Sequence, residues 1–102
     1  MEKNNQDNQI QIELSDEIAQ GIYSNLAVIS HSTSEFVIDF IRIVPGVPKA
    51  KVKSRIILTP EHTKRLFVAL KDNIDKFEQQ NGAIRLQAEP GFLPPIGGIG
   101  EA

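Results

Sequence analysis

Apolar and polar positions alternate, then cluster, then recur at helical spacing along this chain of 102 residues. "IQIEL" (10–14) alternates, which suits a short edge strand. "SDEIAQGIY" fits either one turn of helix or a bent strand: Ser15, Asp16 and Glu17 resemble a helix start, but Gly21 soon interrupts. From Ile22 to Ile29 the pattern is that of a strand. "SHSTSE" then supplies turn chemistry, because Ser and Thr hydroxyls bond to nearby backbone. "FVIDFIRIV" is a second strand, rich in β-branched and aromatic residues, and "PGVP" (45–48) breaks it. "AKVKSRIIL" is a third strand. At "TPEH" a helix begins: Thr59 can cap it, Pro60 suits its first position, and Glu61 sits at the positive end of the dipole. Leu66, Phe67, Leu70, Ile74 and Phe77 then form one apolar stripe, and Gly82 ends the helix.

These elements predict an α+β fold: a three- or four-stranded antiparallel meander followed by one long C-terminal helix packed on one face. Residues 1–8 are too polar for a core and read as a disordered tail. Residues 9–82 form the single domain, and 83–102, with three prolines and four glycines, form an apolar tail. A register with Val28 opposite Ile38, and Ile38 opposite Ile56, gathers Leu26, Val28, Phe36, Ile38, Phe40, Val52, Ile56 and Leu58 on one face for the helix to cover. It also sets Asp39 opposite Arg55, Ile41 and Ile43 opposite Lys53 and Lys51, and Arg42 opposite Val52. A slip of one residue in the second pairing would oppose the like charges of Arg42 and Lys51, so the unslipped register is expected.

Composition narrows the function classes. The absence of cysteine excludes disulfides and thiolate metal sites, and a net charge of −2 supplies no global field toward nucleic acid or anionic lipid. No apolar run approaches a membrane span, and the first residues lack the apolar core of a secretory signal, so a cytoplasmic location is the default.

Candidate chemistry is sparse. His31 lies among serines and near Glu35 and Asp39, but at a hairpin tip it has no walls to exclude water, and neighbouring side chains on a strand diverge. His62 lies far from His31 with no third ligand at a recognised metal-binding spacing, and "GGIG" (97–100) lacks the lysine and helix of a phosphate loop. No catalytic residue, cofactor or metal is therefore expected, and the chain reads as non-enzymatic. Lys49, Lys51, Lys53 and Arg55, at alternate positions, form a basic stripe: either a solvated outer face or a contact for phosphates. Val37, Ile41, Ile43 and Ile57 make the outer sheet face more apolar than water requires, with Ile29 beside them, and the tail adds Phe92, Leu93 and Ile96. The tail either folds back over its own sheet or docks on a neighbour. Together with a small core, these features imply a homo-oligomer, a dimer or tetramer, that binds other proteins as an adaptor or holdase; a nucleic-acid-binding module is the second reading.

"YSNLAVISHS", "EFVIDF" and "RIILTPEHTKRL" resemble a small prokaryotic family, the domain of unknown function 3467, over roughly Ile10 to Glu78. The resemblance implies a short single-domain protein and assigns no activity to any residue. Strands followed by a long helix are also similar in element order to the export chaperone SecB, whose oligomers hold unfolded clients; that likeness bears on topology and not on function.

Overall fold

A computed structural model describes residues 9–87. Five elements follow one another: α1 (Asp16–Ala19), β1 (Leu26–His31), β2 (Phe36–Arg42), β3 (Lys51–Leu58) and α2 (Pro60–Asn81). The strands form an antiparallel sheet in the order β1-β2-β3. The α+β class and the strand-then-helix order are those the sequence predicts. "SDEIAQGIY" resolves as one helical turn: the Ser15 hydroxyl accepts from the Ile18 N–H at 3.2 Å, and Gly21 ends it at a φ of 77° that suits glycine. "IQIEL" joins no ladder, so the described sheet has three strands.

The first pairing differs from the expected register by one residue. Val28 lies opposite Asp39 and Ile29 opposite Ile38. The hairpin loop holds four residues, 32–35, and serine chemistry closes it. Ser32 N–H donates to the Glu35 carbonyl at 2.9 Å, while the Ser32 hydroxyl accepts from the Ser34 and Glu35 N–H groups at 3.2 and 3.3 Å. Because a one-residue slip exchanges faces, Ala27 and Ile29 join Phe36, Ile38 and Phe40, whereas Leu26 and Val28 join Asp39 and Ile41. Asn25 extends this pairing beyond the strand ends. Its side-chain amide donates to the Ile43 carbonyl at 3.0 Å and accepts from the Ile43 N–H at 2.8 Å, standing in for a backbone rung.

The second pairing keeps the expected register from Phe36–Leu58 to Phe40–Ser54, with Asp39 opposite Arg55. It then shifts, and Ile41 faces Val52 while Arg42 faces Lys51. Lys53 has no partner: it is a β-bulge. Val52 therefore leaves the expected inner face, and the disfavoured like-charge pair forms. The eight-residue connection 43–50 turns at Pro45-Gly46, where Val47 N–H donates to the Val44 carbonyl at 3.0 Å and Gly46 takes a φ of 83°.

Helix α2 starts as the sequence predicts. Thr59 Oγ1 accepts from His62 N–H at 3.1 Å, Pro60 occupies the first turn, and Gly82 caps the end. Three i,i+4 ion pairs lace its polar face: Glu61–Arg65, Lys71–Asp75 and Asp72–Lys76. It does not, however, cover the sheet. Extended contacts run from β1 to β2 and from β2 to β3, and α2 has none of that extent with any strand. The connection explains this. A single residue, Thr59, separates Leu58 from Pro60, shorter than the usual 2–6 residues of a strand-to-helix loop. A helix of about 33 Å has no slack there to reverse over its own strands. Among the described residues only Val28 and Ile38 are buried hydrophobics.

Candidate functional site

Three surfaces emerge from these elements. His31 ends β1 opposite Phe36, and its ring stacks on the Phe36 ring at 5.3 Å. Phe36 shares a face with Ile38, so His31 lies on that face. Asp39 lies on the other, opposite Val28 on one side and Arg55 on the other. The two groups that could have served as base and acid are thus on opposite faces of the sheet. Asp39 is held by Arg55, with Nε donating to Oδ1 at 2.7 Å and Nη2 to Oδ2 at 2.8 Å. Hydrogen bonding from that guanidinium keeps the carboxyl below its ordinary value, against a smaller opposing effect of desolvation. His62 engages the helix cap through its backbone, and no cluster of metal-ligating side chains occurs among the described residues.

The apolar face is the second surface. Ile57 lies opposite Val37, and Ile41 lies between Leu26 and Val52 on the face that also carries Val28. Ile41, Ile43, Leu26, Val28 and Val52 line a shallow concavity of about 300 Å³, with Asp39 at its edge. Ile29, expected here, belongs to the opposite face through its pairing with Ile38. On that opposite face a second concavity of about 420 Å³ runs between α1 and the sheet, walled by Ile18, Ile22, Phe40 and Ile56. Phe92, Leu93 and Ile96 lie outside the described residues.

The third surface is basic, and the bulge rearranges the expected stripe. Arg55 pairs with Asp39 and leaves it. Lys49, Lys51 and Lys53 instead meet Arg42 around a concavity of about 170 Å³, with Val44 and Val47 of the turn as its apolar wall. Arg42 also sits over the Tyr23 ring, 6.0 Å from its centroid. Sequence alternation missed Arg42 because in a regular ladder it would oppose Val52.

The family described as "Protein of unknown function (DUF3467)" matches residues 1–86. The chain belongs to this family. Its match takes in the whole sheet and α2, the elements that carry all three surfaces. No curated protein and no solved structure matches the chain. Within the described residues of this DUF3467 protein, no helix is long and apolar enough to cross a membrane.

Proposed function

We propose that this DUF3467 protein is a non-enzymatic homo-oligomer that binds other polypeptides, in the manner of an adaptor or holdase. The observation that carries the reading is the unpartnered stripe of α2. Leu66, Phe67, Leu70, Ile74 and Phe77 are 42, 62, 54, 38 and 50 % exposed. Full burial of one such side chain contributes about 1.5–3 kcal/mol, so a half-exposed one still has roughly 1 kcal/mol to gain. Five per helix on two helices amount to something on the order of 10 kcal/mol, comparable with the whole stability of a typical domain. Two buried hydrophobic residues cannot supply that from within one described unit.

A second copy fits the stripe. Phe67, Leu70, Ile74 and Phe77 follow the three-then-four spacing of a helix–helix seam, and Thr63 and Asn81 continue it at either end. The polar flank, laced by its own ion pairs, stays toward water. The two sheet concavities, lined by aliphatic and aromatic side chains, are then the surfaces left for a partner polypeptide. Separation of His31 from Asp39 across the sheet supports binding over catalysis.

Light scattering on the purified chain across a dilution series tests the reading. The expected result is a mass at least twice that of one chain, held on dilution. A monomer at every concentration would overturn it.

A further inference from the structure

The basic concavity beside the bulge is independent of the oligomer. We propose that Arg42, Lys49, Lys51 and Lys53 form a binding site for a phosphate group. Three observations converge. First, the ladder sets Arg42 directly opposite Lys51, a like-charge pair that destabilises a sheet unless an anion lies between. Second, the four cations line one concavity, and none of them has an ion-pair partner among the described residues, where the neighbouring Arg55 has Asp39. Third, the bulge at Lys53 produces this convergence. A regular β3 would keep all its alternate cations in one row on the Asp39 face, whereas the shift leaves Arg55 there and turns Lys51 to the opposite face, against Arg42. Bulges re-aim side chains in this way next to binding sites.

Size and walls select the ligand. A concavity of about 170 Å³ is too small for a drug-sized molecule and large enough for one or two phosphate groups. Val44 and Val47 form one side on the turn closed between them. Arg42, resting over Tyr23, can offer its planar fork to two phosphate oxygens, and the lysines add point charges around it. The shared chemistry is a phosphate group, carried either by a small ligand or by a nucleic-acid strand.

Calorimetric titration of the full chain with pyrophosphate, and separately with a short single-stranded oligothymidine, tests the site. Saturable binding at one site per chain is expected. Arg42→Gln or Lys51→Gln should weaken it about tenfold or more, and Lys64→Gln, on α2, should leave it unchanged. Lys51→Arg should retain it. Binding of both probes through Arg42 and Lys51, with a steep salt dependence for the oligonucleotide, would assign the phosphate to a nucleic-acid strand; pyrophosphate alone would assign it to a small ligand. The variants are exposed, and removing the like-charge pair should raise rather than lower their melting temperature, so loss of binding will not be loss of fold. Absence of saturation with either probe, or equal weakening by Lys64→Gln, would overturn the site.

Discussion

Arg55 grips the carboxylate of Asp39 with two parallel hydrogen bonds across the β2–β3 ladder, at 2.7 and 2.8 Å. The two residues are 16 positions apart and lie directly opposite each other. Their pairing fixes the register of the central strand, because a slip in either direction would part the two charges and leave Arg55 against Ile38 or Phe40. Asp39, in the centre of the three-stranded sheet, is 15 % exposed.

The pair makes stability depend on acid. Hydrogen bonding to Arg55 lowers the folded-state pKa of Asp39 below its unfolded value. Its contribution is therefore complete above the ordinary carboxylate value, about 3.9, and is lost as pH falls through the lower folded value. Asp39→Asn should lower the melting temperature at pH 7 and lose that penalty progressively below about pH 4. Circular-dichroism melts of both proteins between pH 2 and pH 7 measure the difference. A penalty that stays constant with pH would show that the carboxylate charge contributes nothing.

Helix α2 carries the second prediction. Leu70 sits in the middle of the stripe, whereas Val68, equally apolar and 58 % exposed, lies on the opposite side of the helix. Leu70→Glu should reduce the solution mass to that of one chain, and Val68→Glu should leave it unchanged. Ile41→Asp separates the two surfaces: it lowers the mass only where the sheet face joins copies as well. Equal effects of Leu70→Glu and Val68→Glu would remove the seam.

The start of the same helix gives the third. Thr59 is both the whole connection from β3 and the cap, accepting from His62 N–H while its carbonyl accepts from Thr63 N–H at 2.9 Å. Replacing it by alanine removes the side-chain acceptor and keeps the carbonyl. Thr59→Ala should cost about 1 kcal/mol, read from denaturant unfolding at fixed protein concentration. Thr59→Asp, which restores an acceptor and adds a charge favourable to the helix dipole, should recover it.

The elements with strong local chemistry are the ones legible in the sequence. Thr59, Pro60 and Gly82 bound α2, and the mass of β-branched residues after Glu35 marks β2. The second pairing is legible as well, since Asp39 and Arg55 identify each other. The first pairing is not, because "LAVI" is apolar at every position and matches β2 equally well in either register. What decides it is the Ser32 hydroxyl closing a four-residue loop, a geometric fact invisible to alternation. The bulge is hidden for a related reason: "KVKS" gives β3 one apolar residue among polar ones, so neither face is specified there. Arg42 joins the basic site only through that shift. Helix packing fails for another reason, since an amphipathic stripe demands a partner without saying that the partner is the same chain.

The bulge itself can be tested by removing it. Deleting one residue from a strand normally turns every side chain beyond it to the wrong face. Lys53 is the exception, because it opposes nothing: Phe40 pairs with Ser54, and Ile41 with Val52. Without Lys53 the ladder becomes regular, Asp39 still meets Arg55, and Arg42 still meets Lys51. Deletion of Lys53 should therefore leave the circular-dichroism spectrum and melting temperature close to those of the parent, whereas deletion of Ile57 should unfold the sheet. The extra twist that a bulge imposes would be lost with Lys53. Pyrophosphate should then bind more weakly to the deletion than to Lys53→Gln, which loses the same charge but keeps the bulge. A deletion as damaging as that of Ile57 would mean that Lys53 belongs to the ladder. Equal binding by the two variants would mean that charge alone, and not the bulge, assembles the site.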